Sequence, residues 1–454
     1  MAEKVTPRTL AGFMELLPQD QILFNQMHDA IKESYETFGF LPLDTPVLES
    51  GDVLLAKTGG ETGKQIYEFN KGDSHLAMRF DLTVPLAKYV AMHQNELTFP
   101  FRRYQIGKVY RGERAQQGRF REFYQADIDI IGDGELSLMN DAEIPSVIYT
   151  TIKEMGFEDF TIRMNNRKIL NGLFEHVGAG EIAADVMRTI DKLDKIGVEK
   201  VSSELEELGL SKEAISTIVK FVDIKGNIDE KLAALNSFGI ENDTYKLGVH
   251  ELEEVIKGVR LLGVPEKNFG VDLTIVRGLD YYTGTVYETF LNQFKEIGSV
   301  CSGGRYDNLS EFYTDRKMPG VGISIGLTRL FYQLNKMKLL TPTKESISDV
   351  LLIPMDDDLD FAFKTATALR KSGVKAEVYL ENKKMKAKFA YADKLKIPYV
   401  GVIGETERTE GKVMLKDMKN GEQRLMTADE IVGQVTGQSV GKANTKIQSL
   451  MRRM

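Results

Sequence analysis

The run Arg277-Gly-Leu-Asp-Tyr-Tyr-Thr-Gly-Thr-Val-Tyr-Glu288 sets a guanidinium, a carboxylate and paired phenols beside two glycines. Arg277 offers a fixed fork for phosphate or carboxylate, and Asp280, Tyr281 and Tyr282 offer a polar, partly aromatic lining for a small ligand with both charge and a ring. An ordinary strand with a buried tyrosine pair and a surface Arg–Asp contact accounts for the same residues equally well, so their context has to decide. A second concentration of chemistry lies between Phe101 and Gly132, where Arg102, Arg103, Lys108, Arg111, Arg114, Arg119 and Arg121 meet few acids before Glu122. Arginine outnumbers lysine there, as bidentate phosphate binding favours. On the return limb Gln125, Asp127 and Asp129 alternate with apolar neighbours, which puts polar groups on one face of a strand, where they need partners or a ligand. A solvated edge hairpin, charged against aggregation, is the plainer explanation of the arginines.

The elements that must position these groups follow from spacing. Ile22, Leu23, Met27, Ile31, Tyr35 and Phe38 recur at helical intervals before Gly39, predicting a helix from Asp20 to Phe38. Phe40 to Glu49 carries two prolines and is expected to be an irregular or edge strand. Leu76 to Pro85 reads as a strand passing into a helix that runs on to Met92, leaving Asp81 and Thr83 at the strand's end. Phe101 to Gly132 reads as a long hairpin around Gln116-Gln-Gly118. From Asn171 to about Glu266 the pattern is helical, with Val249, Leu252, Val255, Ile256 and Val259 on one stripe. Thr285 to Glu288 alternates as a strand, and Met318 to Leu330 reads as a small-residue strand leading into a helix. The spacing of its glycines fits neither common phosphate-loop pattern. Beyond the linker Pro342 to Ser348, strands and helices alternate and end in a hairpin and a helix, as a compact α/β domain with a mostly parallel sheet. The lysines between Lys371 and Lys396 there suit either a solvated helix face or a basic patch for RNA.

Composition limits the possibilities. A chain of 454 residues exceeds one ordinary core, and about two to four domains are expected. Hydrophobic residues at 42% and charged residues at 28% are those of a globular protein, and no apolar run is long enough to span a bilayer. The first residues lack the apolar stretch of a secretory signal, and the single cysteine, Cys301, excludes an intramolecular disulfide or a cysteine-cluster metal site. A cytoplasmic location is expected. A formal net charge of -8 argues against coating nucleic acid by bulk charge, though not against a local basic track.

Taken together, these segments resemble histidyl-tRNA synthetases, class II aminoacyl-tRNA synthetases, over essentially the whole chain. Two segments carry the resemblance to the histidine family in particular: Arg277-Gly-Leu-Asp-Tyr-Tyr282 and Gly303-Gly-Arg-Tyr-Asp307. Three more match class II enzymes generally: an extended element with a proline at the dimer interface (Pro46), an Arg-x-Glu hairpin (Arg111, Glu113) and a glycine-rich strand followed by Arg329. The resemblance implies an α+β catalytic domain on a mostly antiparallel sheet, in residues 1–172 and 268–340, with a helical insertion at 173–267. It adds a C-terminal α/β anticodon-binding domain at 346–440 and a tail at 441–454.

The same resemblance implies ATP-dependent activation of L-histidine to the adenylate, followed by transfer to the 3′-terminal adenosine of histidine tRNA, by a homodimer. Arg111 and Arg277 would flank the α-phosphate as the catalytic charges. Glu113 would read the adenine amino group, Phe123 and Arg329 would cover the two ring faces, and Arg119 would reach the outer phosphates. Asp81, Thr83 and Gln125 fall to the ammonium group of histidine, and Asp129 with Tyr282 to its imidazole. Arg277 and Tyr281 complete the histidine set. Arg114 and Gln116 would face the tRNA acceptor end. Magnesium would accompany ATP, held by phosphate oxygens and water rather than by dedicated protein ligands. The family often carries Glu where Asp129 stands, and Pro7 to Phe13 departs from the usual Pro-x-Gly-x-Arg-Asp-Phe, so no residue is carried over from that segment. Two other classes remain to be weighed: a synthetase-like regulatory subunit that binds histidine without activating it, and an RNA-sensing module without catalysis. Retention of Arg111, Glu113, Arg277, Arg329 and the C-terminal domain weighs against the regulatory class.

Overall fold

A computed structural model describes residues 4–56, 63–114, 118–190, 192–275, 282–308, 310–342, 344–356 and 359–443, with backbone alone at 194, 195 and 438–443. By contact the chain divides into two units: Met1–Glu15 with His28–Met337, and Leu16–Met27 with Lys338–Met454. The opening helix, Pro18–Thr37, contributes to both. It starts two residues before the expected Asp20, and its burial of Leu23, Met27, Ile31 and Tyr35 follows the helical spacing.

The first unit is built on an eight-stranded sheet. In chain order its strands are β1 (Leu41–Pro42), β5 (Phe101–Tyr110), β6 (Glu122–Ile131), β7 (Phe160–Asn166), β8 (Phe269–Val271), β9 (Thr285–Leu291), β10 (Ser299–Tyr306) and β11 (Gly320–Ile325). A separate three-stranded sheet holds β2 (Leu48–Ser50), β3 (Glu68–Lys71) and β4 (Ser74–Met78). In space the large sheet runs β1-β5-β6-β11-β10-β9-β7-β8. Its interior pairings are all antiparallel, and only the short edge strands β1 and β8 pair in parallel. The Pro-rich Phe40–Glu49 segment supplies only very short edge strands, β1 to the large sheet and the start of β2 to the small one, because proline has no N–H to give a central ladder.

The arginine-rich hairpin pairs without slippage from Phe101 opposite Ile131 to Tyr110 opposite Glu122. One face of β6 is apolar, with Ala126, Ile128 and Ile130 fully buried. The hydroxyl of buried Tyr35 donates to the Ala126 carbonyl at 3.0 Å on that side. The opposite face carries Gln125, Asp127 and Asp129, as period-two alternation requires.

The helical region begins earlier than expected, with the helix Arg167–His176, and ends with Asp243–Leu261. Asn166, Ser211, Asn227 and Asn242 accept backbone N–H groups at the starts of four of its helices, the capping chemistry favoured there. Val249, Leu252, Val255, Ile256 and Val259 are all buried, matching the predicted stripe. The helix Asp243–Leu261 lays that stripe on Arg167–His176 and on Met139–Glu154, the latter packed against the large sheet.

The second unit holds a five-stranded sheet of β12 (Val350–Pro354), β13 (Ala376–Val378), β14 (Tyr399–Ile403), β15 (Val413–Asp417) and β16 (Gln423–Met426), in the order β13-β12-β14-β15-β16. This corrects the expectation of a mostly parallel sheet. β13, β12 and β14 are parallel, but β15 and β16 add antiparallel pairings, so the sheet is evenly mixed. Helices return the chain between the parallel strands, a single short helix, Glu405–Glu410, turns it from β14 into antiparallel β15, and a tight turn joins β15 to β16. β12 and β14 are apolar on both faces, as strands covered on both sides require.

Candidate active site

The polar face of the large sheet forms the floor of a cavity of about 420 Å³. Cross-strand register assembles that floor in two rows. Arg103, Asp129, Gly322, Gly304 and Val286 lie side by side across β5, β6, β11, β10 and β9, and Gln105, Asp127, Ser324, Ser302 and Glu288 form the next row. Directly opposite residues share a face, so the second row is a polar stripe crossing five strands. Space above the first row depends on its glycines. A Cβ at Gly322 would lie 2.3 Å from Asp129 Oδ1, and one at Gly304 would lie 2.9 Å from the ring of Tyr282.

Most of the residues singled out from the sequence converge here. Asp81, Thr83, Gln125, Asp129 and Tyr282 line the cavity, together with Arg111, Glu113, Arg119, Phe123 and Arg329. Arg114 is exposed and is not among the lining residues. Arg277, Asp280, Tyr281 and Gln116 lie outside the described residues.

The acids gather around one guanidinium. Arg103 is wholly buried, with Nη2 donating to the Leu82 carbonyl at 3.1 Å and standing 2.6 Å from Asp129 Oδ2, an ion pair whose angle falls short of a hydrogen bond. Asp129 Oδ1 accepts from the Tyr306 hydroxyl at 2.6 Å. Asp81 Oδ1 accepts the Val84 N–H at 3.0 Å, holding the first turn of the helix Thr83–Met92. Burial raises the Asp81 carboxyl to about 6, the Val84 bond and Arg111 opposing it, and raises Asp127 to about 7 against the pull of Arg103. Burial also raises Asp129, again against Arg103. Three buried carboxyls around one arginine make this part of the cavity suited to a cationic ligand.

The remaining lining is cationic and aromatic. Arg111 donates from Nε to the Phe80 carbonyl at 3.0 Å and lies over the Phe123 ring, 5.1 Å from its centroid. Arg119 stands 3.9 Å from Glu113, and Arg121 braces the hairpin by donating to the Glu113 carbonyl at 3.0 Å. Arg329, from the helix Leu327–Lys336, reaches back to the Ile297 carbonyl at 2.5 Å, and its pKa is lowered by burial and then by Arg119. Arginines therefore approach one another without full compensation, which favours a polyanion.

Sequence reasoning left some lining residues without a role. Asp127, Ser302, Ser324, Glu288 and Tyr306 belong to the floor only through cross-strand register. Asp127 could have been found from its position two residues from both Gln125 and Asp129. Within the Gly303–Asp307 segment, Arg305 makes a structural bond. It pairs with the buried Asp141 at 2.6 Å and so ties β10 to the helix Met139–Glu154.

Comparison with known proteins accords with this geometry. Residues 12–330 match the family described as histidyl-tRNA synthetase, and residues 349–438 match an anticodon binding domain. The chain is 59% identical to a histidine--tRNA ligase of Clostridium tetani over 94% of its length and 98% of that protein. It is 48% identical to one of Finegoldia magna, over 94% and 99%. Among solved structures, a histidyl-tRNA synthetase from Nostoc sp. PCC 7120 superposes with a TM-score of 0.87 at 42% identity, covering 96% of this chain and all of that one. A Bacillus halodurans protein described as an ATP phosphoribosyltransferase regulatory subunit/histidyl-tRNA synthetase shares the fold at a TM-score of 0.72 and 22% identity. With its antiparallel catalytic sheet and separate C-terminal sheet, the chain belongs to the histidyl-tRNA synthetase family of class II aminoacyl-tRNA synthetases.

Proposed function

We propose that this chain is an ATP-dependent histidine–tRNA ligase, activating L-histidine and passing it to the 3′-terminal adenosine of its tRNA. The observation that carries this reading is the polarity of one cavity. Asp81, Asp127 and Asp129 suit a cationic amino acid, while Arg111, Arg119 and Arg329 with Phe123 suit a purine triphosphate. Arg111 stands close enough to influence Asp81 and also lies over Phe123, at the junction of the two halves.

In the first step a histidine carboxylate oxygen attacks the α-phosphorus and the bond to pyrophosphate breaks. No protein nucleophile is needed; the barrier falls through positioning and positive charge at the α-phosphate. Arg111 supplies that charge from one side and Arg277 from the other. Glu113 takes the adenine amino group, Phe123 and Arg329 hold the ring, and Arg119 meets the outer phosphates. Asp81, Thr83 and Gln125 receive the ammonium group, with Tyr281 and Tyr282 beside the ring. In the second step a ribose hydroxyl attacks the activated carbonyl and AMP leaves, with Arg114 and Gln116 serving the acceptor end. Among the described residues no group of three or more His, Cys, Asp or Glu is placed to hold a metal. Magnesium bound to ATP would supply further positive charge to the phosphates, with water and phosphate oxygens as its main ligands.

The domain boundaries follow the same reading: catalytic segments at 1–172 and 268–340, a helical insertion at 173–267, an anticodon-binding domain at 346–440 and a tail at 441–454. We also place the chain in the cytoplasm as a homodimer whose contact includes the Pro46 segment. Among the described residues no helix is long and apolar enough to cross a membrane. Sedimentation equilibrium checks the dimer, and an active monomer would exclude it. The decisive assay for the activity is histidine-dependent exchange of pyrophosphate into ATP. Exchange that is absent, or equal with other amino acids, removes the proposed function, and histidine binding without exchange would instead indicate a regulatory protein.

A further inference from the structure

Residues 10–13 form a turn, closed by the Phe13 N–H donating to the Leu10 carbonyl at 3.1 Å, in which Gly12 has φ +86°. The sequence resemblance assigned no site residue there. Gly12 nevertheless lies against the arginine-rich hairpin. Its carbonyl accepts the Arg121 N–H at 2.7 Å and the Glu122 N–H at 3.4 Å. A Cβ on Gly12 would stand 2.8 Å from Arg121 Cγ, so both the positive φ and the arginine stem call for glycine.

Arg121 in turn holds the opposite limb at two points. Its carbonyl accepts the Arg111 N–H at 2.9 Å, and its Nε donates to the Glu113 carbonyl at 3.0 Å. Between them the Gly112 N–H donates to the Gln65 carbonyl at 2.6 Å. The backbone of 111–113 is thus fixed at three consecutive residues. Arg111 and Glu113 both line the cavity, whereas Arg121 is not among the lining residues and grips the peptide behind them. Such bracing matters for a group that reads a hydrogen bond, because a shift of about 1 Å spoils its distance and angle.

Resting on the function proposed above, in which Glu113 takes the adenine amino group, we propose that Arg121 is a positioning residue for adenine selection and that residues 10–13 are its backing. The guanidinium fixes where Glu113 stands, and Gly12 fixes the stem of the guanidinium.

The test compares ATP with purine riboside triphosphate, which lacks the amino group, in histidine-dependent pyrophosphate exchange by the full chain. Wild type is expected to favour ATP by about 10- to 100-fold in kcat/KM, as a hydrogen bond to a charged acceptor would give. Arg121→Met keeps the stem and loses the donor, and Gly12→Ala pushes on the stem. In each the preference for ATP should fall about tenfold, through a loss with ATP that purine riboside triphosphate does not share. The histidine KM should stay within about twofold. A preference unchanged in both variants overturns the proposal, whether or not activity falls, since Arg121 would then meet the phosphates or only support the fold. A rise in the histidine KM parallel to the loss with ATP overturns it as well. A fall in Arg121→Met alone keeps the part of the arginine and removes that of residues 10–13. The two variants disturb the contact from opposite sides, so if one fails to fold the other decides. A wild type that exchanges without preferring ATP places Glu113 away from the amino group and overturns the proposal. Absence of histidine-dependent exchange by wild type removes the function itself.

Discussion

Among the described residues, Arg111 forms no ion pair with a carboxylate. It donates to the Phe80 carbonyl and lies over the face of Phe123, so its geometry is held from behind while its charge faces the cavity. Such a group is expected to act mainly where charge develops. Arg111→Ala should lower kcat for pyrophosphate exchange by about a hundredfold or more; a rise in KM alone would contradict that role. The acids opposite it make a separate prediction about pH. Asp81 and Asp127 titrate near about 6 and about 7 in the folded pocket, above the ordinary 3.8, because burial disfavours the ionised form. A carboxyl raised by folding contributes stability that is complete below about pH 4 and is lost as the pH climbs through its folded value. The ligand-free protein therefore gives up stability from this pair between about pH 4 and 7. A cationic ligand acts in the opposite sense, since positive charge in the cavity favours both carboxylates. The rise in Tm produced by saturating histidine should be larger at about pH 7.5 than at about pH 5.5, and equal rises would show that these acids do not meet the ligand.

Above single residues, the large sheet is tied to its covering helices at a few buried polar points. One of these is the bond from Arg305 on β10 to Asp141 in the helix Met139–Glu154, with the guanidinium also donating to the Leu136 and Ser137 carbonyls. The hydroxyl of Tyr287, on β9, donates to the Asp141 carbonyl at 2.8 Å and so fixes the same helix turn. Removing one partner of a buried pair strands the other charge. Asp141→Ala is expected to cost about 3–5 kcal/mol in urea unfolding, and Asp141→Leu combined with Arg305→Met to cost less than that. A double variant worse than the single one would mean that the pair stabilises by its charges rather than constraining where the strand lies.

At the level of the entire chain, activation and RNA recognition are assigned to different parts, and substitutions should separate them. Lys383, Lys384 and Lys386 are exposed in the second unit, whereas Lys388 is buried, donates to the Pro354 carbonyl at 3.0 Å and is not part of any basic rim. Changing Lys383, Lys384 and Lys386 to glutamate should leave histidine-dependent exchange unchanged. The KM for tRNA in charging should rise, and its dependence on salt should become shallower, because each lost phosphate contact releases fewer counterions. Equal impairment of exchange and charging would contradict this division.

Much of this was legible in the chain itself, where local chemistry repeats along a strand or helix. Period-two alternation placed Gln125, Asp127 and Asp129 on one face, 3.6-residue spacing marked the buried stripe of the helix Asp243–Leu261, and the strand-to-helix passage at Asp81 and Thr83 was evident from Pro85. What could not be read was which groups meet across strands distant in sequence. Spacing along a strand says that Asp127 and Asp129 share a face, but not that Asp129 stands between the Arg103 guanidinium and the Tyr306 hydroxyl, brought from β5 and β10. The mixed order of the C-terminal sheet was missed for a related reason: β15 and β16 have strand-like sequences whichever way they run, and direction is set by the connection and the neighbour. Residue type and period thus establish which chemistry the chain carries, whereas the pairing register of separated strands selects which of those groups are spent on the fold and which remain for a ligand.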